Sequence, residues 1–167
     1  MRSKKTWVVP IAALLAAAIY GGTALATPQQ GVTTTTLANK IAFGAIDINA
    51  HTLPADIWQA RLNTRGSTDG YVVDNVIQPG GTTGWHSHPG PSLIFVIHGA
   101  VTNYTSDDPT CTGQVYPAGS GFVDQGGGDV HMLKNNGSSP AETIAVQLLP
   151  QGATRRIDAD TPANCTP

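Results

Sequence analysis

Turn-forming clusters cut this chain into short pieces. PGG stands at 79–81, PGP at 89–91, DDP at 107–109, PAG at 117–119, GGG at 126–128 and NNGSSP at 135–140. Between them lie runs rich in valine, isoleucine, threonine and aromatics, which suit a pleated, half-buried surface. The pattern predicts strands near 41–48, 57–64, 70–77, 93–98, 100–105, 113–116, 121–124, 130–135 and 142–149. After the N-terminal segment no stretch keeps a helical period, and PADIWQA at 54–60 offers at most one short turn. Nineteen glycines and twelve prolines point the same way, because both are poor in helix interiors. Many short strands with Gly/Pro turns imply an all-β sandwich or barrel. No internal repeat suggests a propeller or solenoid.

The N-terminus reads as a separate unit. Arg2, Lys4 and Lys5 precede the uncharged run WVVPIAALLAAAIYGG, and Ala24-Leu25-Ala26 supplies small residues at a cleavage site. This is the three-part pattern of a secretory signal peptide, expected to span 1–26. An uncleaved membrane anchor is the alternative, but Pro10 and Gly21-Gly22 interrupt the run, and it falls short of the ~20 apolar residues a spanning helix needs. The reading is an exported protein, extracellular or periplasmic, with no membrane segment in its mature form. Residues 27–39 begin with the polar stretch TPQQGVTTTT and are expected as a flexible linker; 40–167 form the single domain with its C-terminal tail.

The mature chain, 27–167, carries six Lys/Arg against eleven Asp/Glu, a net charge of −5. With no basic run, nucleic acid is excluded as a partner. Two cysteines remain, Cys111 in DPTCTG and Cys165 in PANCTP. Export makes a disulfide between them accessible, and an even count suits one. Two free thiols are the alternative.

The densest chemistry lies in GWHSHPGPSLIFVIHG, residues 84–99. Gly80 is followed after five residues by His86-Ser87-His88, then after three by Ser92 and after six more by Gly99. This resembles the first cupin motif, in which a glutamate stands where Ser92 is found. Downstream, Pro117-Ala118-Gly119 and the pair His131 and Asn135 resemble the second cupin motif. Eleven residues, SGFVDQGGGDV, replace the usual two between its halves, and Gly113 is off register. The two motifs cover residues 80–135. The resemblance implies a cupin-type double-stranded β-helix, a jelly-roll barrel, in a small exported bacterial protein of one domain. Such proteins often dimerise through sheet edges, so a homodimer and a monomer both stay open.

The residues support a metal site in their own right. In a strand, positions two apart share a face, so His86 and His88 aim the same way. His131 from a distant strand completes three neutral imidazole donors, a set suited to Fe, Mn, Ni, Cu or Zn with positions left for water or ligand. The alternative is hydrogen-bonded loop histidines. Ser92 is a poor ligand beside a carboxylate. Asp124, and Asp129 two residues before His131, are candidates to replace the missing carboxylate or to orient an imidazole, against the plainer reading of solvated turn residues. His98 reads as a polar turn residue and His51 as solvated. Arg61 and Arg65 read as a solvated strand face, although anion contacts are the alternative. Tyr71, Trp85 and Phe95 read as core or pocket lining.

Two functions follow. The first is a metal-dependent enzyme, such as an oxygenase, acting on a small oxygen-bearing molecule. The second is a non-catalytic module that holds a metal or small ligand, or a degenerate barrel without metal. Glu142 is the one glutamate of the mature chain, so no separate general base is evident.

Overall fold

The computed structural model describes residues 26–54 and 57–165. Of the expected signal peptide only Ala26 falls among them. The described residues form twelve strands and no helix: β1 (Gln30–Phe43), β2 (Asp47–His51), β3 (Gln59–Asn63), β4 (Thr68–Thr82), β5 (His86–Ser87), β6 (Ser92–His98), β7 (Ala100–Thr105), β8 (Gln114–Pro117), β9 (Gly121–Asp124), β10 (His131–Lys134), β11 (Ala141–Pro150) and β12 (Ile157–Asp158). No helix among them is long and apolar enough to cross a membrane.

Ten strands make one antiparallel sheet that curls into a nearly closed barrel. One half runs β1-β4-β11-β6-β9; the other holds β12-β5-β10, with β7 and β8 continuing from β10. The halves join where Thr82, at the end of β4, pairs with Lys134 of β10. Side chains from both halves meet inside, where Ile77, Val96, Val101, Leu133 and Ala141 form one buried cluster. This is the expected all-β barrel of the double-stranded β-helix kind. Strands β2 and β3 pair only with each other, as a hairpin outside the barrel.

Strict alternation explains the inner surface. On β11 every odd position from Ala141 to Leu149 is buried, while the even ones are partly exposed. On β6 Ser92, Ile94 and Val96 point in, while Leu93, Phe95 and Ile97 point out. Phe95 is therefore neither core nor pocket, whereas Tyr71 and Trp85 are core.

The linker expectation for 27–39 is overturned for most of its length. Residues 30–39 lie in β1, which pairs with β4 over almost its whole length. Thr27 is also fastened: its hydroxyl accepts from Trp85 N at 2.6 Å, and its own N–H donates to Ala159 O at 3.2 Å. The run of threonines lacks an apolar period, yet β-branched residues favour an extended strand, and β4 offers them a free edge. The expected strand 41–48 accordingly breaks at 44–46, between β1 and β2.

Cys111 and Cys165 form a disulfide with Cα atoms 5.0 Å apart. Cys165 is fully buried against Trp85, Tyr104 and Met132, so the bridge clamps the tail over the sheet behind His86. It spans 54 residues, for which the chain-entropy relation gives about 4 kcal/mol, with native strain lowering that figure in practice. The double variant Cys111→Ala/Cys165→Ala should lose about 2–4 kcal/mol of unfolding free energy, read by denaturant titration. An unchanged midpoint would contradict the structural role given to the bridge.

Candidate metal centre

His86 and His131 face each other across adjacent strands. They are a register pair of β5 and β10, and their Nε2 atoms lie 3.2 Å apart. His88 follows two residues after His86, on the same side. The three rings offer ligand atoms all within 4.8 Å of one another, and each residue is about 5% exposed or less.

Second contacts fix the ring orientations. His86 Nδ1 donates to Gly84 O at 2.8 Å, and His88 Nδ1 donates to Arg155 O at 2.5 Å. With Nδ1 protonated, the Nε2 lone pairs of both rings are free. Two nitrogens bound to one ion at about 2.0–2.1 Å stand about 2.8–3.4 Å apart for angles from octahedral to tetrahedral, which brackets the 3.2 Å separation of His86 and His131. The donor set thus fits a divalent transition metal.

Burial keeps the imidazoles neutral. His86 is pushed down to about 2, first by desolvation, then by the neighbouring His131 and Arg156, against the bond to Gly84. His131 is lowered to about 4, mainly by desolvation, with Asp124 opposing. His88 is lowered by the same cause, against its bond to Arg155.

The missing glutamate has a structural answer. Ser92 of β6 pairs with Asp124 of β9 on one side and Gln147 of β11 on the other. Its hydroxyl donates to Asp124 Oδ2 at 3.2 Å and accepts from Gln147 Nε2 at 3.0 Å. Gln147 Oε1 in turn accepts from Arg155 Nη1 at 3.2 Å. Asp124 is buried, accepts from Gly126 N at 2.9 Å, and lies 3.7 Å from His131 Nδ1. From there it polarises the ring without joining the three ligand atoms. Asp129 also stands outside that group; it is partly buried, and its carboxyl is raised first by desolvation, then by Asp124 and Asp107.

The eleven-residue insertion makes this possible. Its first half is β9, which carries Asp124 to Ser92; its second is the glycine turn leading to β10. Gly126 has φ +68° and abuts Gly90, where a side chain would collide with the Gly90 carbonyl oxygen. Gly127 N donates to His88 O at 2.8 Å, tying the turn to the first motif. Asn135, the end of the second motif, is structural: its amide donates to Ile77 O and Ser139 O.

A cavity of about 50 Å³ opens beside the histidines. Its wall includes Arg155, Arg156, Thr143 and Gln147, none of which was anticipated from sequence. The signal that could have found the arginines is Arg155-Arg156 itself, the one adjacent cation pair of the mature chain. His98 lies outside, donating to Glu142 at 2.7 Å, and His51, Arg61 and Arg65 are exposed on the outer hairpin or just after it.

No protein-family model matches the sequence, and comparison with curated proteins finds no match. Among solved structures the chain is similar to an uncharacterized conserved protein with a double-stranded β-helix domain from Klebsiella pneumoniae subsp. pneumoniae, at 22% identity, covering 71% of this chain and 86% of that one, with TM-score 0.47. It is similar also to a cupin superfamily protein from Desulfitobacterium hafniense, at 10% identity, 71% and 78% coverage and TM-score 0.48. A third is a predicted oxalate decarboxylase from Thermotoga maritima, at 19% identity, 51% and 83% coverage and TM-score 0.40. These likenesses concern the fold alone, and the chain's own sheet order is that of an all-β, double-stranded β-helix barrel.

The lowered imidazoles set a pH dependence. Below the unfolded-state value of 6.5 the unfolded chain takes up protons that the folded chain refuses, so stability falls with falling pH. For His131 the window runs from 6.5 to about 4. Each such histidine contributes a slope of about 1.4 kcal/mol per pH unit within its window. The metal-free protein should therefore lose stability from pH 6.5 to 5 more steeply than His131→Gln, measured by denaturant titration. Equal slopes would contradict neutral burial of His131.

Proposed function

We propose that this chain is exported after cleavage at Ala26 and binds a divalent transition metal through His86, His88 and His131. The carrying observation is the convergence of three buried imidazoles within 4.8 Å, two of them with Nδ1 anchored on backbone carbonyls. Fe, Mn, Ni, Cu and Zn all suit such donors. The disulfide is compatible with an oxidising compartment.

The catalytic form of this reading is a metal-dependent oxygenase or related enzyme for a small oxygen-bearing molecule. A bound metal supplies Lewis acidity, or redox chemistry with dioxygen if it is redox-active. The chain itself anchors Nδ1 of His86 and His88 on backbone carbonyls and lines the cavity with Arg155 and Arg156. One observation favours the non-catalytic alternative, a metal or small-ligand binding module. Glu142 is engaged with His98 outside the barrel, and both Asp124 oxygens already accept hydrogen bonds. Among the described residues no carboxylate lines the cavity.

The test is metal analysis of the natively exported protein and of protein loaded in turn with Fe, Mn, Ni, Cu and Zn. About one ion per chain is expected for at least one metal. His88→Ala should lose it while keeping a cooperative unfolding transition. Substoichiometric metal in every case would overturn the reading. Oxygen uptake and product assays on the loaded protein, with small phenols, thiols and organic acids, then separate enzyme from binding module.

A further inference from the structure

We infer that the cavity beside the histidines binds a small carboxylate, gripped by the Arg155 guanidinium and the Thr143 hydroxyl. This deepens the metal-site reading and rests on it for the placement of the ligand's remaining contacts.

Arg155 is a half-buried cation without a counter-charge. Its one side-chain hydrogen bond is to the neutral Gln147 amide at 3.2 Å, and among the described residues no carboxylate pairs with it. Its neighbour differs. Arg156 donates to Asp158 Oδ1 at 2.7 Å and to Thr83 O at 2.8 Å, so its charge is already answered. A guanidinium presents a planar fork of donors that matches a carboxylate edge. Arg155 keeps most of that fork uncommitted in the cavity wall.

Thr143 is a second, independent mark. It is fully buried on the inward face of β11, it lines the same cavity, and no protein group bonds its hydroxyl. Native proteins rarely leave a buried hydroxyl so, and one aimed into a cavity is fitted to a ligand oxygen. An apolar residue would close the barrel there as well as Ala141, Ala145 and Leu149 do on the same face.

Charge and size define the ligand. The imidazoles are neutral and Asp124 is turned to Ser92 and Gly126, so the cavity wall is cationic before any metal adds to it. About 50 Å³ beside the histidines takes a carboxylate and a few further atoms, with the mouth open to solvent. Val73 and Ile94 give it an apolar side that suits a short carbon chain. A tetrahedral phosphate would want more donors than one open guanidinium and one hydroxyl.

The experiment is calorimetric titration of the zinc-loaded and the metal-free protein with propionate, pyruvate and malonate. Propionamide serves as the neutral analogue and phosphate as the competing anion. Carboxylates should bind, with propionamide and phosphate at least about tenfold weaker, and Arg155→Gln should cut carboxylate affinity at least about tenfold at unchanged zinc content. Thr143→Val should weaken binding about threefold to tenfold and raise the melting temperature of the ligand-free protein, a pairing that a merely structural threonine would not give. If Arg155→Gln does not fold, the Thr143→Val and propionamide comparisons decide. Equal binding of the amide, tighter binding of phosphate, or no carboxylate binding by zinc-loaded protein would overturn the inference and leave the metal site standing. Arg155-dependent carboxylate binding by protein that takes up no metal would sink the metal site and leave the inference standing.

Discussion

The register of one short strand pair determines the site. Strand β5 is two residues long, and it is held between β10 and β12 so that His86 stands opposite His131 on one side and Asp158 on the other. A shift of one residue would turn every side chain to the opposite face. The register is secured from several directions. Gly84 takes a positive φ under the Thr27 carbonyl, Trp85 is buried beneath the Cys111–Cys165 bridge, and Ala159 N donates to Trp85 O. Thr27, in the segment that reads as a linker from sequence, and the disulfide-tied tail are therefore what lock the histidine pair.

Where the resembled motif carries a glutamate, Ser92 instead bonds a carboxylate of the adjacent strand, Asp124. Serine at 92 shortens the side chain, and Asp124 on the adjacent strand fills the space, behind His131. Asp124 acts on the Nδ1 side of one ring, leaving three neutral nitrogens at the centre. Through Ser92 and Gln147 it is linked to Arg155, so the anion behind the histidines and the cation in the cavity wall belong to one hydrogen-bonded chain.

The barrel and the histidine trio were legible because their signals are local. Strand length, turn chemistry and the His-x-His spacing lie within a few residues, and the Gly80-to-Gly99 spacing fixes the first motif. Asp124 was legible as a candidate only because the inserted stretch is short. What escaped is non-local. The threonines of β1 carry no apolar alternation, and only the free edge of β4 makes them a strand. Arg155 enters the site through the tail that follows β11, and Thr143 looks like any residue of an alternating strand. Nothing in the sequence says which inward position lacks a partner.

The proposed site holds its metal by three imidazole nitrogens and no protein carboxylate. X-ray absorption on the zinc-loaded protein measures this most directly. Three imidazole donors at about 2.0–2.1 Å, completed by water and unchanged in Asp124→Asn, are the expected result. A spectrum needing a carboxylate ligand that disappears in Asp124→Asn, or showing fewer than three imidazoles, would contradict it.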